Sequence, residues 1–246
     1  MRQLLKRRTR QFITLLMGPM RPVMGEGGRR WATRLVNPRG KLYIPPGLGV
    51  EGFFAALQDA GVRHAVLRWF EELPHVERGH DLDILVADDG IDAVRSLLST
   101  WPRGTKIDYY SETGQKGTGY RPELLRDVPA FPGCVAGEIL ARAHPMPGGW
   151  MVPAPREHFL GLAFHAVYLK GRQSGLPFDI DQPATRSGSH DYAAVLKELA
   201  AAAGIAVELP VTARSLDEIL RAEGWRPTPE HLAALAPANP WIGSLT

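Results

Sequence analysis

The chain reads as an α/β (α+β) protein in which a small mixed sheet is followed by a helical region. Three observations predict this. Short stretches of strand character at residues 64–68, 81–86 and 106–110 alternate with helical stretches at 50–60 and 90–99. From residue 155 onward the apolar residues fall at helical spacing, as with Phe159, Leu162, Ala163, Ala166 and Val167. Proline and glycine mark the joints between these segments. At 246 residues and 44% hydrophobic content, the chain is long enough to bury a substantial core in one domain or two modest ones. The expected division is 1–47, a basic arm and linker; 48–154, a sheet-bearing domain; and 155–246, a helical C-terminal region.

Taken in order, the arm comes first. Ten of the 29 basic residues but only one of the 26 acidic ones lie within residues 1–40, so the remainder carries 19 basic and 25 acidic residues. The basic character of the whole chain thus belongs to the arm, and its partner is expected to be anionic lipid or, as the alternative, nucleic acid. Its apolar run at 12–17 is far shorter than the ~20 residues that span a bilayer. Residues 1–24 therefore read either as an interfacial helix on an anionic membrane surface or as a solvated or disordered arm. The single cysteine, Cys134, excludes an intrachain disulfide and a cysteine-based zinc cluster, and fits a reducing, cytoplasmic compartment with attachment to the inner face of the membrane.

After a Gly-, Arg- and Pro-rich linker with at most a short strand at 41–44, a helix over 50–60 buries Phe53, Phe54 and Leu57 and stops at Gly61. The strand at 64–68 follows. In the next strand a period of two puts Asp81, Asp83 and Leu85 on one face and Leu82, Ile84 and Val86 on the other. Paired carboxylates must be compensated by protonation, by a basic partner or by a divalent cation. After the helix at 90–99, the strand at 106–110 presents Asp108 away from Ile107 and Tyr109. If the two strands are neighbours, Asp81, Asp83 and Asp108 converge on one patch that suits two Mg2+ ions beside a polyphosphate. Carboxylates of Asp81 and Asp108 more than about 10 Å apart would sink that reading, since paired metals lie only ~3.5–4 Å from each other.

An acid-apolar-acid strand followed by a single-acid strand resembles the nucleotidyltransferase superfamily with the DNA polymerase beta-like fold. The stretch from Ala65 to Pro74, with Leu67-Arg68, the aromatic Trp69 and Phe70, and Leu73-Pro74 ahead of the acids, is similar to a divergent, uncharacterised bacterial branch of it. The resemblance covers roughly residues 50–180. It implies a Mg2+-dependent enzyme that transfers a nucleoside monophosphate from an NTP such as ATP to a hydroxyl-bearing acceptor of unknown identity. Asp81, Asp83 and Asp108 would be both metal ligands and catalytic residues. The superfamily usually carries Gly-Gly or Gly-Ser where this chain has Arg68-Trp69, so Arg68 is expected to replace backbone amides at the phosphates. Alternatives are a phosphodiester-type transferase acting on a glycan and a catalytically inactive nucleotide-binding or scaffold module.

Other residues carry two readings each. Gly114, Gly117 and Gly119 with Lys116 and Arg121 suit either a loop near phosphates or a hairpin tip. Lys170, near the end of a helix over 156–170, is favoured there by the macrodipole alone; with Arg172 and Ser174 in a glycine-containing turn it also suits a triphosphate. His158 and His165 share a helix face, but no glutamate completes a His-Glu-x-x-His motif, and each reads as a core or interface histidine. No Gly-x-Ser-x-Gly elbow is present, so acyl transfer has no support.

Overall fold

The computed structural model describes residues 41–77, 80–100, 104–121, 124–125, 128–184 and 190–245. The expectations for residues 1–40, including the membrane-attaching arm, and for the turn at 102–103 lie outside the described residues. Strand β1 (Leu42–Ile44) leads into α1 (Gly49–Asp59), whose Val50, Phe53, Phe54 and Leu57 are buried at the expected helical spacing. Gly61 turns the chain at φ +65°, a conformation glycine adopts without steric cost, and donates its N–H to Gln58. β2 (His64–Val66), β3 (Asp81–Val86), α2 (Ile91–Leu97) and β4 (Thr105–Ser111) follow. The four strands form one mixed sheet in the order β1-β4-β3-β2, with β3 parallel to β4 and the two outer pairings antiparallel. The α2 crossover is what allows β3 and β4 to run parallel.

The pleat sorts this sheet into two faces. Val66, Leu82, Ile84, Val86, Ile107 and Tyr109 pack with Phe53, Phe54 and Leu57 of α1 and with Val94 of α2. Phe53 and Phe54 are fully buried, and cutting either to alanine is expected to cost about 3–5 kcal/mol. The opposite face presents Ala65, Leu67, Leu85 and Tyr110 to the helices that follow. These are α3 (Gly133–Ala141), α4 (Pro155–Phe164), α5 (Tyr192–Ala203), α6 (Ala213–Ala222), α7 (Pro229–Leu235) and α8 (Ile242–Leu245). Between α3 and α4 a short ribbon joins β5 (His144–Pro145) to β6 (Met151–Val152). Sheet and helical region therefore share a core across residue 155. Among the described residues no helix is long and apolar enough to cross a membrane.

One element departs from expectation. The helix expected over 156–170 is α-helical only to Phe164; His165–Lys170 is a π-helical turn, followed by a 3-10 turn at Gly171–Ser174. A π turn leaves backbone groups that the α pattern would pair, and here other segments take them up. Tyr120 Oη donates to the Leu169 carbonyl at 2.7 Å, and Asn239 Nδ2 donates to the carbonyls of Val167 and Tyr168 at 2.8 and 2.9 Å.

Candidate active site

The acids sit where β3 and β4 begin and β2 ends. In the parallel register Asp81 lies opposite Lys106, Asp83 opposite Asp108 and Leu85 opposite Tyr110. One face of two adjacent strands thus runs from charged rungs at the rim to an apolar rung in the core. This rim opens onto a cleft of about 1260 Å³. His165 and Lys170 of the π turn, Tyr192 and Arg121 line it as well.

Two of the three compensations open to the acids are used. Lys106 Nζ donates to both Asp81 and Asp108, the latter at 3.0 Å. The two carboxyl groups therefore meet on one cation and also share a hydrogen bond. Burial pushes Asp81 up, but the hydrogen bonds from Asp108 and Lys106 outweigh it and hold Asp81 below its ordinary pKa. Burial and the bond shared with Asp81 push Asp108 the other way, above its ordinary pKa. Asp83 is 6% exposed and pairs with Arg68 Nη2 at 2.7 Å, while Tyr110 Oη donates to it at 3.2 Å. Burial dominates even so; reinforced by the charges of Asp81 and Asp108, it lifts the Asp83 pKa to about 6 against the pull of Arg68.

Lys106 is the residue that sequence reasoning missed. The period of two already puts it on the face of Asp108, but only the register across β3 and β4 brings it opposite Asp81.

Arg68 reaches the site from the end of β2, where Leu67 N–H still bonds to the Asp83 carbonyl. Trp69, next in the chain, has φ +55°, a backbone that costs a non-glycine residue ~1–2 kcal/mol. The indole stacks on His190 at 3.9 Å between ring centres and meets Tyr192 edge-on at 6.0 Å. Arg172 and Ser174, expected beside the phosphates, are not among the cleft-lining residues. Ser174 is buried and its hydroxyl donates to the Gly171 carbonyl at 2.7 Å, because the π turn directs the 3-10 segment into the core; Arg172 is exposed on its outer side. Lys170 does line the cleft. Gly117, Gly119 and Arg121 line it too, whereas Gly114 packs against Pro129. His158 packs on Phe70 with its pKa lowered by burial to about 4.

The donor set is hard oxygen, which suits Mg2+. Lys106 Nζ is a stand-in cation held by Asp81 and Asp108, so this pair fits a single ion once Lys106 turns aside. Asp83 is committed to Arg68 and Tyr110. Among the described residues no group of three His, Cys, Asp or Glu side chains is arranged to hold a metal ion. Compared with protein-family models, curated proteins and solved structures, the chain matches none.

Proposed function

We propose that the cleft is a divalent-metal-dependent nucleotidyl-transfer site, moving a nucleoside monophosphate from an NTP to a hydroxyl-bearing acceptor. The observation that carries this reading is the meeting of Asp81 and Asp108 on one cation, beside Asp83, at the rim of a cleft that Lys170 and Arg121 also line. Asp81 and Asp108 would hold Mg2+, which when bound offsets phosphate charge and polarises the transferred group. A second ion, as the superfamily resemblance implies, requires Asp83 to leave Arg68. A carboxylate oxygen of Asp108 would accept the proton of the attacking hydroxyl, a role suited to the group of the pair with the higher pKa. Arg68 fixes Asp83, and Lys170 meets the phosphates, so positioning and electrostatics supply the catalysis.

The test is thermal unfolding with each NTP, with and without Mg2+. An NTP at a hundred times its dissociation constant should stabilise the fold by ~2.7 kcal/mol. The Mg2+-dependent part should vanish in Asp81→Asn and Asp108→Asn. No response to any NTP overturns the reading.

A second reading, an inactive nucleotide-binding module, is favoured by the pairing of all three acids with Arg68 or Lys106. Lys106→Met separates the two. In an enzyme with a displaceable lysine, the variant binds Mg2+ more tightly than wild type, and wild type releases pyrophosphate when an acceptor is supplied. If wild type ignores Mg2+ and only the variant responds, the module reading stands.

A further inference from the structure

His165 is 2% exposed, and both of its ring nitrogens lack a hydrogen-bond partner. Other described histidines with an orphaned nitrogen, His64 and His231, leave only one in that state. Buried polar groups are nearly always paired, so an imidazole with two vacancies that also lines an open cleft points to a ligand that completes it. Burial, then the charges of Arg68, Lys170 and Arg121, hold His165 well below its ordinary pKa, so the ring is neutral and offers one N–H. Tyr192 lies nearly parallel to it at 6.2 Å and limits the ring's orientation.

The backbone beneath is fixed as firmly. His165 and Lys170 are the first and last residues of the π turn, whose carbonyls are held by Tyr120 and Asn239. Gly171, at φ +54°, ends it, and a Cβ there would lie 2.2 Å from Asn239 Oδ1, so only glycine admits the asparagine. Lys170 makes no ion pair among the described residues. Burial and Arg68 lower its pKa, and Asp81 and Asp83 partly restore it. The cleft therefore carries a rigidly placed neutral donor beside cationic groups, which is the donor set of an oxyanion site.

We propose that His165 and Lys170 form a subsite for a phosphate group, His165 donating its N–H to a phosphate oxygen and Lys170 supplying charge. The source of that phosphate rests on the nucleotidyl-transfer reading: either the terminal phosphates of the NTP or a phosphate carried by the acceptor.

Inorganic pyrophosphate in EDTA is the probe, read by calorimetry and by the ring resonances of His165 in the wild-type protein. We expect binding without metal, a shift of the His165 resonances, and an affinity loss of about tenfold or more in His165→Phe, which keeps the ring but removes the donor. Lys170→Met should lose affinity as well. Competition between NTP and pyrophosphate assigns the subsite to the donor nucleotide; simultaneous binding assigns it to a phosphorylated acceptor. Unchanged affinity in His165→Phe, or ring resonances that stay in place, overturns the subsite, and the resonance measurement holds even if the variant fails to fold. Pyrophosphate binding without any NTP response leaves the subsite standing and overturns nucleotidyl transfer. An NTP response without a His165 shift does the reverse.

Discussion

Two regions of the molecule use one inventory of groups in opposite ways. Around Arg156, three carboxylates (Glu138, Glu157 and Glu223) meet two cations, Arg142 and Arg156, and one neutral donor, the Trp225 indole N–H. At the cleft, three carboxylates (Asp81, Asp83 and Asp108) meet two cations, Arg68 and Lys106, and one neutral donor, Tyr110. In the first region Glu138 and Glu157 come from α3 and α4 and Glu223 from the end of α6, so the carboxylates that meet Arg156 are drawn from three elements. In the second the acids stand on neighbouring rungs of β3 and β4, where strand spacing of ~5 Å forces like charges together and moves the pKa values of Asp81 and Asp108 in opposite directions. The same charges lock helices together when partners are spread over several elements. Confined to one sheet edge, they line a cleft.

The largest expected effect falls on the locked region. Glu157 is 1% exposed between Arg142 and Arg156, and Glu157→Ala leaves both guanidiniums short of a buried partner. A loss of about 1.5–3 kcal/mol in urea-denaturation free energy is expected, the range for hydrogen bonds to charged groups, since Arg142 and Arg156 are partly exposed and keep Glu138 and Glu223. A loss under about 1 kcal/mol would break the contrast, because this network would then be no tighter than the cleft.

The second effect is a pH dependence of opposite sign. Asp83 has a folded-state pKa raised from 3.8 to about 6, so in the folded protein it holds its proton to higher pH than in the unfolded chain. Its contribution is full below about pH 4 and is lost as pH rises through 6, by up to about 3 kcal/mol. Carboxylates with depressed pKa, such as Asp81, act the other way and lose stability as pH falls. The difference in unfolding free energy between wild type and Asp83→Asn, followed from pH 4 to pH 7, isolates this component, since the unpaired Arg68 adds a roughly constant offset. A difference independent of pH would place the Asp83 pKa near its ordinary value.

The smallest effect sharpens the comparison from outside. Asp92 and Arg95 pair at 3.4 Å on an exposed turn of α2, with the Asp92 side chain 96% exposed. Asp92→Asn should change stability by less than about 0.5 kcal/mol and lose even that in high salt. Burial, more than the pairing of opposite charges, is what separates the three cases.

Much of the cleft was legible because it rests on short-range rules. The period of two puts Asp81 and Asp83 on one face of β3 and Asp108 on one face of β4, and the spacing of Phe53, Phe54 and Leu57 marks the helix beneath them. Mixed α/β architecture followed by helices was readable from the same periodicities. Only the tertiary structure decided the partners. Lys106 meets Asp81 because of a register set across a crossover, and Arg68 reaches Asp83 because β2 ends beside it. The π turn shows no signal in the sequence, since Phe159 to Val167 continue an α-helical pattern through it. Its carbonyls are held by groups 49 and 72 residues away, Tyr120 and Asn239, and local propensity contains no information about hydrogen bonds that close over such distances.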